Sequence, residues 1–173
     1  AYYDGSDWVT TTVDSAGHAG YDSSLALDAA GRPHISYWSW SPDYDLRYAH
    51  YDGSSWITET VDGAGMVGSA TSLALDGDTL VVGAPYDSLG YSGRKGVAYV
   101  FIKPAEGWGN LTQVAKLTAS DGFEGNWFGW SLALAGERVF VGAAFDEVGD
   151  QEFQGSVYVF EKPGSGWTDS SED

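Results

Sequence analysis

The tetrapeptide Ser-Leu-Ala-Leu occurs three times, at Ser24–Leu27, Ser72–Leu75 and Ser131–Leu134, each time ten residues after an aspartate (Asp14, Asp62, Asp121). Internal repetition of this kind marks several copies of one supersecondary unit. The copies are 48 and then 59 residues apart. That is the length of a four-stranded antiparallel sheet with its turns, and too long for a leucine-rich or ankyrin repeat. The spacing therefore predicts an all-β chain built of propeller-type blades.

The repeat extends well beyond the tetrapeptide. From Ser72 to Trp108 the sequence aligns without a gap onto Ser131 to Trp167: Gly83-Ala84 falls on Gly142-Ala143, Asp87 on Asp146, Gly96 on Gly155, and Tyr99-Val100-Phe101 on Tyr158-Val159-Phe160. The first unit follows a different pattern, in which Tyr3-Asp4-Gly5-Ser6-Asp7-Trp8 returns as Tyr51-Asp52-Gly53-Ser54-Ser55-Trp56 at an offset of 48. Turn residues bracket the strands: Asp76-Gly77-Asp78 between two apolar alternations is a tight-hairpin signal, and Ala29-Ala30-Gly31, Ser41-Pro42-Asp43 and Asp52-Gly53 serve likewise. No stretch has helical periodicity.

Counting strands leaves one vacancy and one orphan. The outer strand of the second unit is centred on Gln113–Leu117, and its counterpart in the third would fall past Asp173. At the other end Trp8, Val9, Thr10, Thr11, Thr12 and Val13 copy the fourth strand of the first unit without a blade of their own. The expected organisation is one half-propeller domain over 1–173, with a closing outer strand in 1–14, blade 1 in 21–62, blade 2 in 70–119 and blade 3, lacking its outer strand, in 128–173. Three blades do not readily surround a channel, since propellers have four to eight. The economical closure is a six-bladed ring formed by a homodimer, the N-terminal strand of one chain completing the third blade of the other. A piece of a longer propeller, or a fusion of blades from two sources, is the alternative.

Several motifs resemble a known repeat. Phe128-Gly129-Trp130-Ser131-Leu132, Val81-Val82-Gly83-Ala84-Pro85, Val97-Ala98-Tyr99-Val100-Phe101 and Lys116-Leu117-Thr118-Ala119-Ser120-Asp121 are similar to FG-GAP repeats, the blade type of integrin α-subunit propellers and many bacterial surface proteins. The segment Ser24–Asp62 resembles, more loosely, a second repeat of bacterial extracellular propellers. The resemblance implies adhesion, carbohydrate or protein binding, or scaffolding. Integrin-type blades often carry a calcium loop Asp-x-Asp-x-Asp-Gly, and the stretches after Asp87 and Asp146 depart from it. No cofactor is expected, with calcium the one candidate.

Composition narrows the function classes. A formal charge of −17, with only 8 Lys and Arg, excludes the clustered cations that nucleic acid or an anionic membrane surface requires. The longest apolar runs are strand-sized, so membrane insertion is not expected. Absence of cysteine removes disulfides and thiolate metal sites. An acidic, cysteine-free chain fits an extracellular or cell-surface bacterial protein.

Candidate sites are few. His18, His34 and His50 lack metal-ligand spacing, so no metal site is expected. Asp43 and Asp45, or Asp146, Glu147 and Asp150, could offer oxygen ligands to calcium but read as turn caps. No acidic pair stands out as glycosidase machinery, and no nucleophile elbow or phosphate loop occurs. Trp8, Trp56, Trp108 and Trp167 hold equivalent places and read as inter-blade core. Trp38, Trp40, Tyr44 and Trp127 fall in loops, where indole faces beside carboxylates could stack on sugars. The reading is a non-catalytic scaffold or interaction module whose partner is itself. A lectin or adhesin binding glycan or protein is the alternative, and a glycoside hydrolase a more distant one. The sequon Asn110-Leu111-Thr112 matters only in a glycosylating host.

Overall fold

The computed structural model describes residues 1–41, 44–63, 67–87, 95–109 and 111–172. Among them there is no α-helix. A small hairpin pairs β1 (Tyr2–Tyr3) with β2 (Trp8–Val9). The first large sheet runs β3 (Ala19–Leu27), β4 (Pro33–Ser39), β5 (Leu46–Tyr51), β6 (Trp56–Asp62) in that order. The second holds β7 (Ser72–Asp76), β8 (Thr79–Ala84), β9 (Val97–Ile102) and β10 (Gln113–Ala119), and the third β11 (Phe128–Ala135), β12 (Arg138–Ala143) and β13 (Ser156–Glu161). A short C-terminal strand, β14 (Ser170–Glu172), adds in parallel to the outer edge of β10.

All large sheets are antiparallel meanders, and the first strands lie side by side, β7 adjoining both β3 and β11. The period-2 alternation of strand side chains explains the stacking. Along β8 and β9, Leu80, Val82, Tyr99 and Phe101 face the first sheet and meet Leu46, Tyr48 and Val61. The intervening Val81, Ala98 and Val100 face the third sheet and meet Val139, Val141, Tyr158 and Phe160. The second sheet is thus buried on both faces, which is why β8 and β9 read as continuous apolar runs.

The third sheet is covered on one face only. Val139, Val141, Tyr158 and Phe160 are buried, whereas Val157 is 67% and Val159 44% exposed. The outer side of β13 pairs with no strand among the described residues.

Several expectations are corrected. β3 starts at Ala19 and β11 at Phe128, ahead of the tetrapeptides, because each strand begins with a register-shifting bulge. The segment Trp8–Val13 is strand only over Trp8–Val9, which pairs with Tyr2–Tyr3 through a turn capped by Asp4; Thr10, Thr11, Thr12 and Val13 lie outside any strand. Trp108 and Trp167 are core, and Trp56 is half-buried. Trp8, in contrast, is 72% exposed, since among the described residues no second sheet pairs with the hairpin it belongs to.

Candidate functional site

Successive connections in an antiparallel meander alternate between the two ends of a sheet. One end therefore carries the turns between first and second strands, which are short and repetitive. Gly77 (φ 57°) and Gly136 (φ 61°) take the left-handed conformation these tight hairpins require. The other end gathers the loops between second and third strands and those joining one sheet to the next. These are longer and hold most of the chain's unusual chemistry.

The aspartates preceding each tetrapeptide act here. The Tyr158 hydroxyl lies 2.9 Å from Asp121 and 2.8 Å from Asp146. The Tyr99 hydroxyl makes the same pair of contacts, 2.5 Å to Asp62 and a short one to Asp87. Asp14 accepts a bond of 2.7 Å from Tyr37. Each tyrosine thereby ties the loop arriving from the preceding segment to its own sheet. Burial first, and the flanking carboxylates second, push Tyr99 and Tyr158 well above the usual phenol range, so both stay protonated and donate. Asp146 also accepts from Asn126 Nδ2.

A second cluster lies between the first and second sheets. His34 is fully buried, with Nδ1 2.5 Å from the Tyr48 hydroxyl, its ring stacked on His50 at 5.9 Å and met edge-on by Trp108 at 5.0 Å. Burial pulls the His34 pKa down to about 4 despite the Asp28 carboxylate 3.9 Å away, with His50 and Arg32 adding to the depression. His50 is lowered for the same leading reason. His18 is exposed, its ring 5.8 Å from Trp40.

The candidate aromatics separate into two groups, and Trp38 lies within β4, paired with Leu46, rather than in a loop. Trp38, Trp40 and Tyr44 come together with Tyr21 at ring distances of 6.2 to 6.5 Å. Trp38 is half-buried against Gly68, where a Cβ would collide with its indole, so it is a joint between sheets. Trp40 is 45% exposed. Trp127 belongs to the other group: it stacks on Trp130 at 5.1 Å and 20°, adjoins Tyr86 at 5.1 Å, and receives the edge of Phe145 at 4.3 Å. Trp127 holds a left-handed φ of 56°, a conformation bulky side chains rarely adopt. Trp130, Tyr86 and Phe145 have no counterpart in the sequence expectations; only their neighbourhood to Trp127 reveals them.

Among the described residues no group of three or more His, Asp or Glu side chains is placed to hold a metal ion. Asp45 is engaged by Thr60 and Arg47, and Asp146 by Tyr158 and Asn126, while Glu147 and Asp150 are exposed. Asp43 and Asn110 lie outside the described residues. No helix among the described residues is long and apolar enough to cross a membrane.

Stacked antiparallel sheets with their first strands side by side define a β-propeller-like, all-β protein. The FG-GAP repeat model matches residues 60–101 and 111–160, just over half of the chain. The chain therefore belongs to the FG-GAP repeat family. No curated protein matched the chain.

Proposed function

We propose that this protein is a non-catalytic half-propeller of three blades, an extracellular interaction module that completes itself by strand exchange with a second copy. The Trp8–Val13 segment of each chain lies along β13 of the other, giving a six-bladed ring. One observation carries the reading: β13 has an unpaired outer edge among the described residues, beside the exposed Val157 and Val159. Such an edge is a template for an added strand. Trp8 is exposed where its counterparts Trp108 and Trp167 are buried, as befits a residue whose sheet is supplied by another chain. Two carboxylate pairs, Asp62 with Asp87 and Asp121 with Asp146, each share a tyrosine hydroxyl, an arrangement suited to clasping loops rather than to acid–base work.

Residue-resolved hydrogen exchange along Ser156–Glu161 tests this. The β13 amides that face away from β12 are expected to exchange slowly in the wild type and quickly in a Val9→Pro/Thr11→Pro variant, because proline removes donors from the exchanged strand. Equal rates in the two proteins refute the exchange.

A second reading, glycan binding, is favoured by the Trp127–Trp130 pair. At the repeat-equivalent positions 59 residues earlier stand Gly68 and Thr71, so the blade itself does not require indoles there. The same loops carry the exposed carboxylates Glu124, Glu147, Asp150 and Glu152, acceptors for sugar hydroxyls. A glycan array should show saturable binding that Trp130→Ala abolishes; an array with no positive spot removes this reading.

A further inference from the structure

We infer that the exposed face of the third blade contains a preformed groove for the Tyr21-Asp22 bulge of a second copy of this chain. This rests on the ring reading above and names the contact that orients the two copies.

The contact already exists once within the chain. The bulge at Phe128-Gly129 seats in the second sheet: Ser72 Oγ donates to the Gly129 carbonyl at 2.8 Å, a Cβ on Gly83 would strike that same carbonyl, and a Cβ on Gly96 would strike the carbonyl of Phe128. Three residues with little or no side chain are therefore what admits the incoming backbone. At an offset of 59 the third sheet repeats all three, as Ser131, Gly142 and Gly155. There the same space is open, a groove of about 360 Å³ lined by Ser131, Gly142, Gly155, Ser156 and Val157. The atoms nearest a Cβ on Gly142 belong to Ser131 of its own sheet, and those nearest one on Gly155 to the carbonyls of Ala143 and Ala144. The apolar surround is repeated too. Val81, Ala98 and Val100 are fully buried beneath the third sheet, and their equivalents Phe140, Val157 and Val159 are half-buried or exposed.

The occupant is identified by backbone conformation. The residue two places before each tetrapeptide serine is Asp22, Ala70 or Gly129, and all three have left-handed φ, 48°, 57° and 92°. Ala70, like Gly129, leans on the preceding sheet, its N–H donating to Asp22 at 3.0 Å while Thr71 meets Ser36 at 3.0 Å. Among the described residues no large sheet precedes Asp22 in its own chain, and Tyr21 beside it is 48% exposed. The third sheet of a second copy supplies what is missing, with Ser131 Oγ donating to the Asp22 carbonyl as Ser72 does to Gly129.

The test is light-scattering molar mass over a dilution series for wild type, Gly142→Leu and Val157→Lys. Gly142→Leu fills the groove; the atom nearest its Cβ is the movable Ser131 hydroxyl, and circular dichroism of the monomer checks that the sheet persists. The dimer dissociation constant of this variant rises at least about tenfold. Val157→Lys puts a charge at an exposed position whose equivalent, Ala98, is fully buried beneath the third sheet, and weakens the dimer likewise. A wild type that stays monomeric at every concentration sinks the ring and the groove together. A dimer that Gly142→Leu or Val157→Lys leaves intact overturns the groove alone.

Discussion

Lowering the pH from 7 to 4 should loosen the joint between the first two sheets, and His34 sets the size of the effect. The unfolded chain protonates this imidazole near 6.5, whereas the folded chain resists until about 4. Between those values the unfolded state binds the extra proton, so stability is complete above pH 6.5 and declines as pH falls towards 4. A depression of roughly 2.5 units at about 1.4 kcal/mol each gives a loss of about 3 kcal/mol. His50, lowered in the same direction, adds to it. The side chains facing the His34 ring are Asp28, His50, Tyr48 and Trp108, and Arg32 is tied to Asp28 at 2.9 Å. Only Asp28 favours a charge there, and burial outweighs it. Urea unfolding followed by tryptophan fluorescence at half-unit pH intervals measures the slope. A His34→Gln variant, less stable at pH 7 through its lost packing, should show a shallower decline between pH 6.5 and 4.5. Parallel slopes for variant and wild type would show that this imidazole is not held neutral by the fold.

Three further outcomes follow from named contacts. Tyr158→Phe leaves the buried Asp146 with Asn126 but without the hydroxyl 2.8 Å away, and should cost about 1–3 kcal/mol in chemical denaturation. Gly83→Ala puts a methyl where the Gly129 carbonyl sits and should lower stability by about 1–3 kcal/mol or more, while Gly142→Ala, whose methyl displaces the movable Ser131 hydroxyl and not a backbone carbonyl, should cost the monomer less. Trp108→Ala empties the contact against His34 and should cost about 3–5 kcal/mol, read as a lower urea midpoint at unchanged m.

The sequence carried the sheets because the repeat obliges both faces of a central blade to be apolar. The run from Thr79 to Ala84, apolar on both faces, marks β8, and its copy at Arg138–Ala143 marks β12 through the repeat although only one face of β12 is buried. Less legible was anything set by partners distant along the chain. Asp62 to Tyr99 and Asp121 to Tyr158 are each 37 residues apart, a constant interval that was available as a signal, yet nothing local says that a turn aspartate reaches the next sheet's tyrosine. The tryptophans show the same limit. Trp8 copies Trp56 in its motif but not in its surroundings, because burial depends on a neighbouring sheet that the described residues do not place there. Trp127 was legible as a loop aromatic, whereas its stack on Trp130 depends on the bulge at the head of β11. The parallel pairing of β14 with β10 had no sequence signature at all: its three residues are Ser, Ser and Glu, chosen by proximity and not by β-propensity.

The central claim is that two chains make one ring. Light scattering on the wild-type protein at micromolar concentration should return about twice the 18.5 kDa of the chain, with no larger species because a closed ring leaves no blade edge to pair. A mass of a single chain across the whole concentration range, or an open-ended ladder of oligomers, would contradict it.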